Sequence, residues 1–412
     1  MRHELVKPSG IKFICNDARN PDANELPLWL SVNESVKALN FQKSMSGYAV
    51  TPLIALNRLA EAVGVAGIAV KDESYRLGLN AFKGLGVTYA LGNVICGKLG
   101  IFIEDTTFDY LKSAEVRHKL GDLTFTTATD GNHGRAVAWV ARQFGQQAVV
   151  YLPKGSAARR VEAIRETGAQ AIVTEFNYDD TVQLAKEKAA EYGWEIVQDT
   201  AWDGYTRIPQ WIMQGYTTIL GEVGEQIRHM EMPEPTHIVL QAGVGGMAGA
   251  LLGYWANLYE GKHPVTLIVE PDNAACIFHS ASVGDREPHQ VYGSLETIMA
   301  GLACGEPNPI AWSILRDFAD AYVSCPDYVA ARGMRMLASP LEGDQRVISG
   351  ESGAVGIGLL SLLMSEPEFS GIRSKLKLDQ DSVVLFINTE GDTDPVLYRQ
   401  IVWDGKYPMP QR

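Results

Sequence analysis

The sequence is poor in cysteine and has no stretch of low complexity. Its five cysteines (Cys15, Cys96, Cys276, Cys304 and Cys325) are odd in number, lie far apart and form no C-x-x-C pair. This spacing argues against a disulfide framework and against a zinc ribbon. We find no internal repeat and no long Pro- or Ser-rich linker, which excludes a solenoid and domains joined by a tether.

Basic residues are outnumbered by acidic ones. Lys and Arg total 36 and Asp and Glu total 49, which gives a formal net charge of −13 over 412 residues. Because neutralising phosphate groups requires clustered Lys and Arg, we expect neither a nucleic acid nor an anionic membrane as partner. Residues 1–4 lead into no apolar run, so we expect no signal peptide and a cytoplasmic location.

One uncharged stretch, residues 236–259, is long enough to span a bilayer. Five glycines interrupt it. A strand, a glycine-rich loop and a helix explain this pattern better than a membrane span.

Short β-branched runs alternate with amphipathic stretches along the chain, which is typical of an α/β fold with a doubly wound parallel sheet. One such stretch predicts a helix from Ser156, as N-cap, to Thr167, ended by Gly168. The predicted strands are 68–71, 148–152, 171–174, 195–198, 238–241, 266–269 and 383–388.

Lys83 follows the apolar pair Ala81 and Phe82 and precedes a predicted helix over 84–91. A half-buried lysine can have a lowered pKa, as an amine that forms an imine requires. The alternative is a surface lysine whose stem covers apolar neighbours.

The segment 126–135 contains Asp130, Gly131, Asn132 and His133 and runs into a helical pattern. A polar turn at the start of a helix presents backbone N–H groups to a carboxylate or a phosphate. An Asp-Gly turn with an N-cap explains the same residues. Since no second His or Cys stands at ligand spacing, we expect no metal site and favour a structural His133.

A glycine loop, 243–249, follows a strand and precedes a helix, as a phosphate-binding loop does. A dinucleotide-binding fingerprint uses the same order, with Glu270 as the acid that would bind the ribose, although the G-x-G-x-x-G spacing is not cleanly kept. A nicotinamide dehydrogenase is therefore an alternative. The last strand ends in the polar residues 388–394, at the sheet edge where ligands of such folds bind.

The lysine segment, the Gly-Asn loop, the glycine loop and the polar strand end occur in the order found in fold-type II pyridoxal phosphate enzymes, which include threonine deaminase and cysteine synthase. The resemblance covers roughly residues 45–405. Longer strings resemble the branch of this family that releases ammonia from 2,3-diaminopropionate. These strings are 71–74, 78–83, 129–135, 197–202, 298–308, 349–354 and 389–394.

The resemblance implies two interleaved domains, each a mostly parallel twisted sheet flanked by helices. It places a large cofactor-binding domain at 1–88 and 220–412 and a small domain at 89–219. It also implies pyridoxal 5'-phosphate as cofactor, an amino acid as substrate and a homodimer.

Residue by residue, Lys83 would carry the cofactor, and Asp130 and Asp199 would be the acid/base residues for the D- and L-isomers of the substrate. In the family, a Ser or Thr contacts the pyridine nitrogen of the cofactor. The position of that residue aligns with Asn388 in this sequence, and Thr389 lies one place later, so the resemblance implies one of these two residues for the contact. The further residues implied are Asn132 for the ring hydroxyl, Gly243, Val244, Gly245, Gly246 and Met247 for the phosphate, and Thr129, Asp130, Gly131, Asn132 and His133 for the substrate.

The implied reaction is an α,β-elimination that converts 2,3-diaminopropionate to pyruvate and ammonia. We expect burial to raise the pKa of whichever Asp acts as base, and negative charge to select a substrate with a second, cationic amine. A threonine or serine deaminase and a catalytically silent binding protein remain alternatives. We also expect Cys276 and Cys304 to approach each other near the site.

Overall fold

The computed structural model describes residues 5–6, 9–17, 19, 26–129 and 131–410. None of the helices within these ranges is both long and apolar enough to cross a membrane.

The described residues form twelve β-strands. In chain order they are β1 (Leu5–Val6), β2 (Lys12–Cys15), β3 (Leu53–Ala55), β4 (Gly67–Asp72), β5 (Thr124–Ala128), β6 (Gln147–Leu152), β7 (Gln170–Val173), β8 (Glu195–Ile196), β9 (His237–Gln241), β10 (Val265–Pro271), β11 (Ala321–Cys325) and β12 (Val383–Asn388).

The same residues form seventeen α-helices. They are α1 (Val32–Lys43), α2 (Asn57–Val63), α3 (Lys83–Leu99), α4 (Phe108–Leu111), α5 (Ala114–Leu120), α6 (Asn132–Gln143), α7 (Ala158–Arg165), α8 (Tyr178–Tyr192), α9 (Arg207–Tyr216), α10 (Thr218–His229), α11 (Gly246–Leu258), α12 (Cys276–Val283), α13 (Pro309–Phe318), α14 (Asp327–Ala338), α15 (Glu351–Ser365), α16 (Ser370–Leu376) and α17 (Pro395–Val402).

The chain divides into two compact units, each built from separate segments. The first unit takes its described residues from Met1–Ser31, Thr51–Tyr75 and Ile219–Arg412. Its sheet has the order β1-β2-β11-β10-β9-β12-β4-β3, and the five strands from β11 to β4 run parallel. Strands β9, β11 and β12 are buried at every residue, as parallel strands covered on both faces are.

The second unit takes its described residues from Val32–Val50 and Arg76–Thr218. Its sheet has the order β7-β6-β5-β8 and all its pairings are parallel. Ala128, Val149 and Ala185 belong to a small apolar cluster against this sheet. The α/β class with two mostly parallel sheets flanked by helices is as predicted.

The unit boundaries differ from the predicted ones in two segments and at one single residue, Ile219, which belongs to the first unit. Residues 32–50 and 76–88, which the prediction assigns to the large domain, belong to the second unit. Helix α1 explains the first difference, because Gln42 donates hydrogen bonds to the carbonyls of Leu85 in α3 and Gly215 in α9. Helix α3 explains the second, since it begins at Lys83 and packs along α9.

The seven predicted strands are present, and the stretch 236–259 is a strand, a loop and a helix as predicted. The structure adds β1, β2, β3, β5 and β11. The predicted N-cap Ser156 is wrong: α7 begins at Ala158, and the Ser156 hydroxyl donates to the carbonyl of Pro153 instead.

Candidate active site

The carboxyl ends of three neighbouring parallel strands in the first unit, β4, β12 and β9, carry polar side chains. Asp72 at the end of β4 is opposite Asn388 at the end of β12, and Gln241 at the end of β9 is opposite Val269 of β10. Ligands of open α/β sheets bind at this edge. The register therefore brings the predicted strand end 388–394 to the same edge as the start of the glycine loop.

The glycine loop joins β9 to α11. Gly245 caps α11 with φ of +93°, a conformation that side chains other than glycine rarely adopt. A Cβ on Gly243 would lie 3.2 Å from both the Cys304 Sγ and the Leu302 Cα. The loop is held in place by the N–H of Asn308, which donates to the Val244 carbonyl at 2.8 Å. Small residues and a helix N-terminus give this loop the form of an anion cradle.

Cys276 and Cys304 both lie against Gly243. The Cys276 thiol donates to the Gly243 carbonyl at 3.6 Å, and no disulfide joins the two cysteines. Burial, followed by the nearby Glu270 and Cys304, raises the pKa of Cys276 well above its ordinary value. The two thiols therefore contact the same glycine in their reduced form, and their approach to each other stays a prediction.

Asn388 and Thr389 have different hydrogen-bond partners. The Asn388 amide nitrogen donates to the Asp72 carboxylate at 2.7 Å and to the Ile348 carbonyl at 3.1 Å, while its Oδ1 atom is buried without a partner. The Thr389 hydroxyl accepts from the Gln241 amide at 3.0 Å. Asn388 therefore has no donor left, whereas Thr389 keeps its O–H as a donor.

Glu270, the predicted ribose-binding acid of the dehydrogenase alternative, has another role. It is fully buried, and its carboxylate accepts the backbone N–H groups of Ile277 at 2.8 Å and Phe278 at 2.6 Å, at the start of α12. Burial raises its pKa to about 8 despite these hydrogen bonds. A carboxylate engaged in this way does not reach a ribose, which removes the main support for a dehydrogenase.

In the second unit, two predicted segments follow the neighbouring strands β5 and β8, which pair in parallel. The Thr129 hydroxyl accepts from the N–H of Gly131 and so shapes the turn into α6, which begins at Asn132. Gly131 is buried and Asn132 is half-buried. Asp130 lies outside the described residues.

Lys83 and Asp199, distant in sequence, form an ion pair. The Lys83 Nζ atom donates to the Asp199 Oδ2 atom at 2.6 Å, and their side chains are 20% and 13% exposed. Lys83 is the first residue of α3, so its side chain projects from a helix end. Phe82 and Tyr216 pack beside it, with the Lys83 Nζ 5.3 Å from the Phe82 ring centroid and the two rings 4.8 Å apart.

The electrostatics of Asp199 correct one expectation. Burial by itself raises the pKa of Asp199, as predicted for a base. The positive charge of Lys83, followed by that of His133 when it is protonated, outweighs burial, and the net pKa lies below the ordinary range. The carboxylate is therefore ionised in this arrangement, with the ammonium of Lys83 as its principal partner.

His133, the second residue of α6, is buried. Its Nε2 atom lies 2.8 Å from the Val197 carbonyl, two residues before Asp199, and its Nδ1 atom lies 3.8 Å from the Asp199 Oδ2. Burial lowers the pKa of His133, and Asp199 opposes this effect. The protonation states of Lys83, His133 and Asp199 therefore depend on one another.

Four residues that support the site are absent from the predicted set. Asp72 holds Asn388, Gln241 holds Thr389, Asn308 holds the glycine loop, and Tyr205 holds the strand before Asp199 by accepting the Gln198 N–H at 2.8 Å. Asp72 and Gln241 stand at strand ends beside predicted motifs, which is a signal that sequence reasoning can use. Asn308 is followed by Pro309, a helix-start signal, but its contact with the glycine loop is not visible in sequence.

Comparisons with known proteins identify the family of the chain. The family model described as "Pyridoxal-phosphate dependent enzyme" matches residues 45–389. The chain is 53% identical over 380 residues to the diaminopropionate ammonia-lyase of Escherichia coli (strain K12), covering 92% of this chain and 94% of the relative. It is 49% identical over 405 residues to that of Salmonella typhimurium (strain LT2), covering 98% and 99%.

The chain belongs to the diaminopropionate ammonia-lyase branch of the pyridoxal-phosphate dependent enzymes. A solved structure of this branch agrees: the Escherichia coli diaminopropionate ammonia-lyase in complex with an aminoacrylate-PLP azomethine reaction intermediate matches with a TM-score of 0.88 at 48% identity, covering 99% of this chain and 100% of that one.

Proposed function

We propose that this protein catalyses the pyridoxal phosphate-dependent α,β-elimination of 2,3-diaminopropionate to pyruvate and ammonia. The observation that carries the proposal is the contact of Lys83 with Asp199, because it brings an ionised carboxylate to the lysine that we assign as the carrier of the cofactor. The relatives named diaminopropionate ammonia-lyase support the choice of substrate.

The residues of the first unit fit the cofactor. Gly243, Gly245 and Gly246, with the backbone of Val244 and Met247, form the cradle that we assign to its phosphate, since this loop follows β9 and leads into the N-terminus of α11, where backbone N–H groups favour an anion. Pyridoxal phosphate, when bound, supplies an aldehyde that condenses with primary amines and a ring that takes up the electron pair left on a deprotonated α-carbon.

We assign the contact with the pyridine nitrogen to Thr389. Both donor hydrogens of the Asn388 amide point to Asp72 and Ile348, whereas the Thr389 hydroxyl accepts from Gln241 and still has its own hydrogen to donate. Asn388 then acts as the link that holds Asp72 in place. In the second unit we assign the contact with the ring hydroxyl to Asn132, at the N-terminus of α6.

Asp199 is the base that we assign to the L-isomer, and Asp130 the base for the D-isomer. While the Lys83 ammonium stands at 2.6 Å, Asp199 is a weak base, because its pKa is lowered. Once Lys83 is no longer a cation beside it, burial dominates and the pKa of Asp199 rises, which makes the carboxylate a stronger base for the α-proton. The β-amino group then leaves as ammonia, and the released 2-aminoacrylate takes up water to give pyruvate and a second ammonia.

The negative charge of Asp199 also favours a cationic β-amino group over the neutral hydroxyl of serine or threonine. This argument places a threonine or serine deaminase second. The rates of pyruvate formation from D- and L-diaminopropionate and serine, and of 2-oxobutyrate formation from threonine, separate the ammonia-lyase from the deaminase.

The test measures the release of pyruvate from D- and L-diaminopropionate and from serine, and the release of 2-oxobutyrate from threonine, with added cofactor. We expect diaminopropionate to be turned over fastest, Lys83→Ala to be inactive, and Lys154→Ala, at a lysine whose side chain is 70% exposed, to match the unaltered enzyme. Faster turnover of serine than of diaminopropionate would favour the deaminase. A protein that never takes up pyridoxal phosphate would overturn the proposal.

Two further assignments rest on the family resemblance. We propose a homodimer that acts in the cytoplasm; scattered cysteines without disulfides support the location. Sedimentation equilibrium of the purified protein tests the dimer, and cell fractionation with an antibody tests the location.

A further inference from the structure

His133 has one satisfied and one unsatisfied ring nitrogen. The Nε2 atom lies 2.8 Å from the Val197 carbonyl, and because a carbonyl only accepts, Nε2 must carry a hydrogen. In the neutral ring, Nδ1 is then an acceptor. It is buried and has no hydrogen-bond partner.

Other buried histidines of the described chain do not share this feature. His237 contacts the Thr236 hydroxyl through Nδ1 at 2.7 Å and the Leu376 carbonyl through Nε2 at 2.9 Å. His263 contacts the Pro264 carbonyl through Nδ1 and the Arg19 guanidinium through Nε2. A histidine that only fills and links a core satisfies both nitrogens, and His133 does not.

The unsatisfied nitrogen faces Asp199. Nδ1 lies 3.8 Å from the Asp199 Oδ2, beyond hydrogen-bond distance. Both atoms are acceptors while the carboxylate is ionised, so no hydrogen bond can form between them. Once the carboxyl oxygen carries a proton it becomes a donor, and an approach of about 1 Å brings the pair into the normal range.

We propose that His133 is a positioning residue for Asp199: its Nδ1 atom accepts a hydrogen bond from the Asp199 carboxyl after that carboxyl has taken a proton from the substrate. This inference rests on the proposed function. In the step, the substrate Cα–H bond breaks, its electron pair stays with the substrate, and an O–H bond forms on Asp199. A partner that binds only the protonated carboxyl favours proton transfer to it.

Lys83, Tyr205 and Tyr216 are other titratable groups near His133 and Asp199. Lys83 holds the Asp199 Oδ2 from the side of α3. Burial raises the pKa of both Tyr205 and Tyr216 above its ordinary value, so these phenols stay neutral. Among the residues that the structure describes, the charged groups that act on His133 in the range where histidine titrates are therefore Asp199 and Lys83.

Two substitutions separate the two nitrogens. His133→Gln keeps a donor near the Nε2 position for Val197 and removes the Nδ1 acceptor, whereas His133→Asn keeps an acceptor near Nδ1 and loses the Val197 contact. We expect His133→Gln to lower kcat/KM for L-diaminopropionate about 5- to 10-fold, the equivalent of one net hydrogen bond, and to change that for the D-isomer less than about twofold. His133→Asn should lower the L-value less than His133→Gln does.

The pH profile gives a readout that a structural role would not move. At acid pH a proton on Nδ1 turns it into a donor, which pairs with the ionised Asp199 and removes its basicity. For L-diaminopropionate we expect kcat/KM to fall with an apparent pKa below 6.5, the ordinary value for histidine, because burial lowers the pKa of His133. His133→Gln should lack this acid limb.

A second measurement uses the protein without cofactor. Nitrogen-15 NMR of histidine-labelled protein, with His133 assigned by loss of its signal in His133→Gln, reports the Nε2–H tautomer and the pKa of the ring. The charge of Asp199 raises the pKa of His133. Asp199→Asn should therefore lower it, and His237→Gln, at a histidine with both nitrogens bonded, should leave it unchanged.

The outcomes are distinguishable. Equal losses on both isomers in His133→Gln, an unchanged acid limb, or a His133 pKa that ignores Asp199→Asn would overturn the positioning role. If the unaltered enzyme does not turn over diaminopropionate, or if Asp199→Asn leaves L-turnover intact, the proposed function or its assignment of Asp199 fails instead.

Discussion

Gln241 holds Thr389 across two neighbouring strands of the first unit. Its amide nitrogen donates to the Ile387 carbonyl at 2.9 Å and to the Thr389 hydroxyl at 3.0 Å, and both side chains are buried. The Thr389 oxygen thus accepts a hydrogen bond from the Gln241 amide, and the hydroxyl hydrogen of Thr389 is not used in this contact. The Thr389 O–H therefore stays available as a donor, whereas both amide hydrogens of Asn388 are donated to Asp72 and Ile348.

Thr389→Val should weaken cofactor binding about tenfold, because it removes the one donor while keeping the shape of the side chain. Thr389→Ser, which keeps the hydroxyl, should stay within about threefold. Equilibrium dialysis of pyridoxal phosphate against each protein measures the effect. If Asn388→Ala weakens binding and Thr389→Val does not, the assignment must be reversed.

Gly245→Ala should weaken cofactor binding more than tenfold and also destabilise the fold. Its φ of +93° is unfavourable for alanine, and the added Cβ would lie 3.0 Å from the Leu315 side chain. Gly64→Ala is the matched control: it has φ of +83° in the same unit but open space around the Cβ. Thermal unfolding and cofactor dialysis should show strain in both variants and lost affinity only in Gly245→Ala.

Sequence patterns predict the parts of the site that depend on local order. The glycine loop, the polar end of β12 and the lysine at the start of α3 each follow from residue types and from the element next to them. The parallel register then explains why Asp72 and Asn388 meet, since the carboxyl ends of adjacent parallel strands share an edge.

Contacts between distant segments are not predictable in this way. Lys83 and Asp199 are 116 positions apart, and nothing in either segment indicates their 2.6 Å contact. The lowered pKa of Asp199 depends on that contact, so the expectation from burial alone has the wrong sign. From sequence alone, Glu270 resembles a ribose-binding acid. The structure shows that its partners are instead backbone N–H groups of α12, a contact that the sequence does not indicate.

Lys71→Met should destabilise the protein by about 3–5 kcal/mol, because it removes the buried cation that pairs with the Glu222 carboxylate. The Lys71 Nζ atom donates to Glu222 at 2.5 Å, to Gln226 at 2.8 Å and to the Thr51 carbonyl at 2.8 Å, and the side chains of Lys71 and Glu222 are both fully buried. Chemical denaturation measures the loss. Lys154→Ala, at an exposed lysine, should change the free energy of unfolding by less than about 0.5 kcal/mol.

Glu270 should make stability depend on pH between about 4.5 and 8. Its pKa is raised from 4.5 to about 8 in the folded protein, so folding favours the protonated form. The stabilisation is complete below pH 4.5 and is lost as pH rises through 8, by up to about 5 kcal/mol at the limit.

Glu270→Gln carries no proton to lose, so its free energy of unfolding should fall less than that of the unaltered protein as pH rises from 4.5 to 8. Denaturant titrations at a series of pH values measure the difference. Glu175→Gln, at a side chain that is 86% exposed, should follow the unaltered protein. Parallel curves for Glu270→Gln and the unaltered protein would mean that Glu270 is already ionised at pH 5 and that the two N–H groups of α12 outweigh its burial.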